Sequence, residues 1–330
     1  MSLLRTLLRP AAQTVRHARM IMRLRKAQSN DRRRFARWSH GTRDSRTPQQ
    51  STYALYKAYH GIEKGLSLPE PRPGFGRAKI ENMVRTLKRD LARFPDLAPE
   101  PALAALGAYS TFNAGHGIAD PVLDKWLQER GTDREDLAGL GGVDEVDAAD
   151  IRAAGARVDR EFFWSRHSIR HFSGAPVPFE TVEKAVDMAR KTPSVCNRQG
   201  PRVHVFIPAE RALKWQPGNA GFGHVAGAGL VVTSDLQAFS GTGERNQPFV
   251  DGGMFAMSLL YAFHALGLGS CPLAWAAEPD HDRQTRKALS IPDNEVIIMM
   301  IAVGHLPDRL RVARSHRHPL ESYLIRHDGE

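Results

Sequence analysis

Two short segments in the second half of the chain carry the side chains best suited to chemistry. The first is Arg166-His167-Ser168-Ile169-Arg170-His171-Phe172, and the second is Thr192-Pro193-Ser194-Val195-Cys196-Asn197-Arg198-Gln199. In an extended segment Arg166, Ser168 and Arg170 alternate to one side. Two guanidiniums and a hydroxyl on one face form an anion site, because arginine presents a planar fork to phosphate oxygens. Asn197 and Gln199 supply donors and acceptors together. The combined inventory suits a ligand with a phosphate at one end and a polar heteroaromatic edge at the other. Taken singly, each segment also reads as ordinary surface or loop.

Other residues with chemical capacity carry plainer readings. Cys196 and Cys271 are the only cysteines, too few for a disulfide scaffold, and are expected as small buried hydrophobes in a cytosolic protein. Tyr59-His60-Gly61-Ile62-Glu63-Lys64-Gly65 places His, Glu and Lys between glycines. It is open to reading as a lid, as a substrate-binding loop or as a structural or capping element. His60 and Glu63 at i, i+3 lack the second pair that a metal site needs. His116, between two glycines, has the same structural expectation, and Asp144 to Asp150 read as a solvated acidic linker.

The elements that must position these residues follow from pattern and charge. The 330-residue chain has a net charge of +10, which would ordinarily point to nucleic acid or an anionic membrane. Residues 1–46, however, hold thirteen Lys/Arg against two acids. The rest is therefore close to neutral, and no specific nucleic-acid partner is expected. Residues 1–50 read as a basic tail, either solvated or an amphipathic helix with Val15, Ala18 and Met22 among arginines, after an apolar patch at Leu3, Leu4, Leu7 and Leu8. Such a helix could meet an anionic membrane surface through residues 1–46, giving a cytoplasmic protein peripheral at the inner membrane surface. No segment approaches the roughly 18 apolar residues of a membrane span. Residues 51–150 read as helical, with Ile80, Met83, Val84, Leu87 and Leu91 at i, i+3, i+4 spacing and Pro121 opening another helix. From residue 151 to 330, strand signals at Arg202–Ile207, Leu230–Thr233 and Val296–Val303 interleave with helices after Pro178 and over Met254–Leu266. This order implies an α+β, layered sheet-and-helix domain.

In sequence order, Ser165–Phe172, then Pro193-Ser194 with Asn197 and Gln199, then Asp251–Cys271, Val296–Gly304 and Arg317–Glu321 resemble the FMN-dependent nitroreductase family over about residues 158–325. The resemblance implies a nitroreductase-like flavoprotein fold, a homodimer with FMN at its interface, and NADH or NADPH as reductant. Arg166, His167 and Ser168 match residues that hold the phosphate and ribityl chain, and Arg170 matches a cation near the flavin N1–C2 edge. Pro193, Ser194 and Asn197 match a loop reaching FMN from the partner subunit, and Asn219 matches an asparagine at the pyrimidine ring. Pro272, Leu273 and Ala274 match the backbone that passes flavin N5, while Arg317 and, more weakly, Arg314 match late phosphate ligands. The implied function is hydride transfer from a reduced nicotinamide through flavin N5 to a small acceptor, with no catalytic side chain and no metal. Two alternatives stand beside it: a nitroreductase-fold enzyme with unusual chemistry (flavin fragmentation or reductive removal of a substituent) and a membrane-associated flavin-binding accessory protein. Trp275, where many relatives have a small residue, is expected to narrow the substrate pocket.

Overall fold

A computed structural model describes residues 2–41, 47–131, 137 and 139–327, with side chains from residue 14 onward. The expected Leu3–Leu8 patch lies outside the described side chains, and Arg43 and Arg46 lie outside the described residues. Helices α1 (Ser2–Trp38), α2 (Pro48–Leu66), α3 (Arg77–Arg93), α4 (Glu100–Ala114) and α5 (Pro121–Glu129) form the first half, followed by α6 (Ala148–Gly155) and α7 (Arg160–Ser165). The second half runs α8 (Phe179–Ala189), β1 (Pro201–Phe206), α9 (Glu210–Leu213), β2 (Ala228–Asp235), α10 (Gln247–Ala265), β3 (Leu268–Ala274), α11 (Pro279–Ala288) and β4 (Glu295–His305).

The helical half builds its own core because each helix carries an apolar stripe. Ile80, Met83 and Leu87 of α3 are buried against Ile62 of α2, Leu103 and Leu106 of α4, and Leu123 and Trp126 of α5. Local chemistry fixes where these helices start. Thr47 and Gln50 form a reciprocal capping box on α2, and Asp120 caps α5 by accepting from the Leu123 N–H at 3.1 Å. Of the readings open for Tyr59–Gly65, the structure fits the structural one: the stretch is the C-terminal part of α2. Gly65 sits in the helix because a Cβ there would overlap the Phe75 ring.

The four strands form one antiparallel sheet in the order β1-β2-β4-β3. Its central strands alternate between two buried faces. Leu230, Val232, Ile301 and Val303 pack with α8 and α10, whereas Val231, Met300 and Ala302 pack with Leu213, Leu273 and Leu289 on the other side. Covering both faces with helices explains the continuous apolar runs in β2 and β4, a pattern more usual in parallel sheets.

Helix α1 joins the two halves. Arg23 pairs with Glu278 at 2.6 Å and Lys26 with Asp280 at 3.1 Å, both on the surface. Arg34 reaches further in, donating to Glu295 O at 2.5 Å and Asp293 O at 3.3 Å beside Asp282 at 3.6 Å. Among the described residues no helix is long and apolar enough to cross a membrane.

Candidate functional site

The segment after α7 adopts an extended path for a clear reason. Asp159 caps α7 at its start, and Arg166 at its end takes β-region angles. Ile169 N–H then donates to Ser270 O at 2.9 Å and Ser173 N–H to His305 O at 3.0 Å, laying the segment along the edge of β3 and β4. Ile169 and Phe172 turn into the core, so the intervening residues face outward. Arg166, His167 and Ser168 line a cavity of about 610 Å³ together with Arg314 and Arg317 from the C-terminal segment. Trp164 and Tyr261 add aromatic walls, and no acidic residue lines the cavity. Arg166 Nη1 is buried and has no hydrogen-bond partner. Burial lowers the pKa of His264, and the Arg166 charge lowers it further. Its Nε2 lies 2.9 Å from Ser165 Oγ. The cavity is thus a positive site with an unused donor, the electrostatic complement of a phosphate.

Arg170 does not line this cavity; it is exposed, and its Nη1 makes only a long 3.5 Å contact with Ser168 O. The Thr192–Gln199 segment stands elsewhere in the same chain. Pro193, Ser194 and Gln199 line a second cavity of about 530 Å³ beside Phe179 and Phe255. Cys196, Asn197 and Gln199 all have positive φ, at 49°, 49° and 52°, a conformation that non-glycine residues adopt only when surroundings impose it. The imposing contacts are visible. Arg198, fully buried, donates from Nε to Val195 O at 3.1 Å and from Nη1 to Glu244 Oε2 at 2.9 Å. Asp251 accepts from the Val195 N–H at 3.1 Å, and Ser194 Oγ accepts from the Gln199 N–H at 2.9 Å. Asn197 lines neither cavity.

The remaining expected residues have structural engagements. Asn219 donates its amide to Leu213 O at 2.6 Å and also to Gln216 O, and lines neither cavity. Pro272, Leu273 and Ala274 form the end of edge strand β3, with Leu273 buried and Ala274 O accepting from Gln216 Nε2 at 3.0 Å. Trp275 lines neither cavity. Its indole donates to Asp282 at 3.0 Å and stacks on His281 at 5.5 Å, so it anchors α11 instead. Cys271 is fully buried, and burial pushes its thiol pKa up against the charges of Arg170 and Arg166. Cys196 is half-buried rather than buried. Among the described residues no group of His, Cys, Asp and Glu could hold a metal ion.

Sequence reasoning missed the aromatic walls at Trp164 and Tyr261 and the Arg198–Glu244 clamp. Arg198 lay inside the quoted motif. Its partner is 46 positions away, with no local pattern to connect them.

Residues 164–305 match the sequence model of the nitroreductase family. A candidate NADH dehydrogenase/NAD(P)H nitroreductase of Archaeoglobus fulgidus is 26% identical over 155 residues, spanning 45% of this chain and 85% of that protein. Solved structures that resemble the chain include a candidate nitroreductase in complex with FMN from Desulfovibrio desulfuricans. It shows 23% identity and a TM-score of 0.44, and the match covers 52% of this chain and 96% of that one. A nitroreductase family protein from Streptococcus pneumoniae matches at 19% identity and a TM-score of 0.44, over 51% and 98% of the two chains. Residues 164–305 of this α+β protein match a nitroreductase-family domain, and a helical region precedes it.

Proposed function

We propose that the chain is an FMN-dependent oxidoreductase of the nitroreductase type. Bound FMN would supply two-electron redox chemistry, with NADH or NADPH as the hydride donor and a small molecule as the acceptor. The observation that carries this reading is the unpartnered, buried Arg166 Nη1 in a cavity that also presents Ser168, Arg314 and Arg317 and contains no acid. Those groups bind and orient the phosphate. His167 and Ser168 add polar contacts for the chain beyond it. Arg170, exposed on the same segment, supplies a cation for the negative charge of the reduced ring.

Within one chain the Arg166 segment and the loop residues Pro193 and Ser194 line different cavities. This separation supports a homodimer in which each FMN meets the phosphate cradle of one copy and the loop of the other. The division of the chain into a basic segment (1–50), a helical region (51–150) and the flavin domain (151–330) belongs to the same proposal. It is supported by the separate apolar core of α2–α5. Exposed Val15 and Met22 among the arginines of α1 support peripheral contact with an anionic membrane surface.

The test is direct. The purified protein should be yellow, release FMN on denaturation and sediment as a dimer. Arg166→Ala should weaken FMN binding by about tenfold to a hundredfold, as for loss of a charge-assisted bond. A colourless protein that cannot take up added FMN overturns the reading. Vesicle co-sedimentation of full-length chain and a variant lacking residues 2–22 tests the membrane contact, which fails if both pellet equally.

A further inference from the structure

The helical region has a cavity that the flavin site does not use. It measures about 730 Å³ and lies between α2 and α3, beneath the segment 67–76. Its wall is largely apolar, formed by Leu55, Ala58, Ile62, Phe75, Ile80 and Met83. That size is within the range of small-molecule sites.

The charge at its rim is one-sided. Lys57, Arg72 and Lys79 line the cavity, and no Asp or Glu does. Lys57 is engaged, donating to Ser240 Oγ at 2.6 Å and pairing with Glu244 at 3.5 Å. The Arg72 and Lys79 side chains have no hydrogen-bond or ion-pair partner among the described residues.

The covering segment is held in place. Pro69, Pro71 and Pro73 restrict its backbone. Gly74 N–H donates to Asn113 Oδ1 at 2.6 Å, Phe75 O accepts from Tyr109 Oη at 2.8 Å, and the Phe75 N–H turns back to Arg72 O at 3.1 Å. Phe75 also meets the Tyr109 ring edge-on at 5.2 Å. The backbone that carries Arg72 therefore has its position before any ligand arrives, which lowers the ordering cost of binding.

We propose that this groove binds a small anionic amphiphile, with its carboxylate or phosphate head at Arg72 and Lys79 and its apolar body between α2 and α3. Charge complementarity sets the head, and the apolar wall sets the body. The site is independent of FMN and makes use of the Tyr59–Gly65 motif, whose Gly61 opens onto the groove: a Cβ there would meet no atom within 4 Å.

Isothermal titration of the full-length protein with decanoate and with decyl phosphate, both below their micelle concentrations, tests it. At least one should bind saturably at one site per chain, and the pair distinguishes a carboxylate from a phosphate ligand. 1-Decanol, with the same chain and no charge, should bind at least tenfold more weakly. The double variant Arg72→Ala/Lys79→Ala should lose at least tenfold in affinity, and Gly61→Phe should abolish saturable binding by filling the trough. Circular dichroism checks that both variants fold; if Gly61→Phe does not, the double variant alone decides. Absence of saturable binding by either acid overturns the proposal. So does equal binding of 1-decanol, or unchanged affinity in the double variant.

Discussion

Arg198 and Glu244 form an ion pair at 2.9 Å in which the arginine side chain is 0% exposed and the carboxylate 21%. The same arginine holds Val195 O, and the same carboxylate accepts the Ser240 N–H at 2.6 Å. One buried cation therefore sets the backbone path of the Ser194–Gln199 loop. Removing one partner of such a pair leaves the other without its counter-charge. Arg198→Met is expected to destabilise the protein by about 3 kcal/mol, read as a lower urea midpoint. The positive φ angles at Cys196, Asn197 and Gln199 lose their main constraint with it. An unchanged midpoint would show that the loop is held by something else.

Two carboxylates give opposite pH dependences. Burial pushes the Glu244 carboxyl up, but the Arg198 hydrogen bond, the Ser240 N–H and the charges of Arg198 and Lys57 outweigh burial and hold it below the usual value. Its stabilising contribution is complete above the ordinary carboxylate pKa and disappears as pH falls through the depressed folded value. For Glu63, burial dominates over the Gly142 N–H and His60, and the folded pKa is raised. Its ionised form is disfavoured in the fold, so stability declines as pH rises from the unfolded pKa through the raised one. Glu244→Gln should thus lose stability at pH 7 and approach wild type as pH falls through the depressed value, whereas Glu63→Gln should gain at pH 7 and lose that gain in acid. Parallel shifts of the two variants in a denaturation series would sink this assignment.

The two glycines of α2 should respond to alanine with opposite signs. A Cβ at Gly61 meets nothing within 4 Å, while one at Gly65 overlaps the Phe75 ring. Gly61→Ala should stabilise by about 1 kcal/mol through helix propensity. Gly65→Ala should destabilise by about 1–3 kcal/mol, because Phe75 must move. Thermal unfolding of both variants separates the outcomes, and a stabilised Gly65→Ala would mean that the ring yields freely.

The contacts of α1 are unequal. Arg23 and Lys26 make exposed pairs, and exposed pairs contribute little. Arg34 is 14% exposed and donates to two backbone carbonyls at the start of β4. The double variant Arg23→Ala/Lys26→Ala should leave the unfolding temperature nearly unchanged. Arg34→Ala should cost about 2 kcal/mol, for the lost charge-assisted bonds and the carbonyls left behind. If the two changes prove equivalent by differential scanning calorimetry, Arg34 is not the anchor.

What was legible in the sequence was what is local. The stripe Ile80, Met83, Leu87 makes α3, and the apolar runs at Leu230–Thr233 and Val296–Val303 lie within β2 and β4. The Arg166–Ser168 segment and Arg317, expected together, line one cavity. Strand β3 was not legible as a strand because it contains Gly269 and Pro272; an edge position tolerates both. Within α2, Gly65 is explained only by the Phe75 ring beside it. Asn219, matched by resemblance to an asparagine at the pyrimidine ring, has its amide taken up by Leu213 O and Gln216 O. Each of these depends on a partner that no periodicity could announce.

Strand β4 pairs with β2 over Glu295–Val303 and with β3 over Met299–His305, so that its middle is bonded on both sides. At its first residue Glu295 O receives Arg34 of α1, and at its last His305 O receives the Ser173 N–H of the segment that follows Arg166. Amide hydrogens of β4 should be among the slowest in the chain to exchange with solvent, and their exchange reports the whole-molecule opening. Fraying of the basic helix and of the Arg166 segment then ends at a common boundary, so that beyond it the two ends of the strand are lost in one cooperative event.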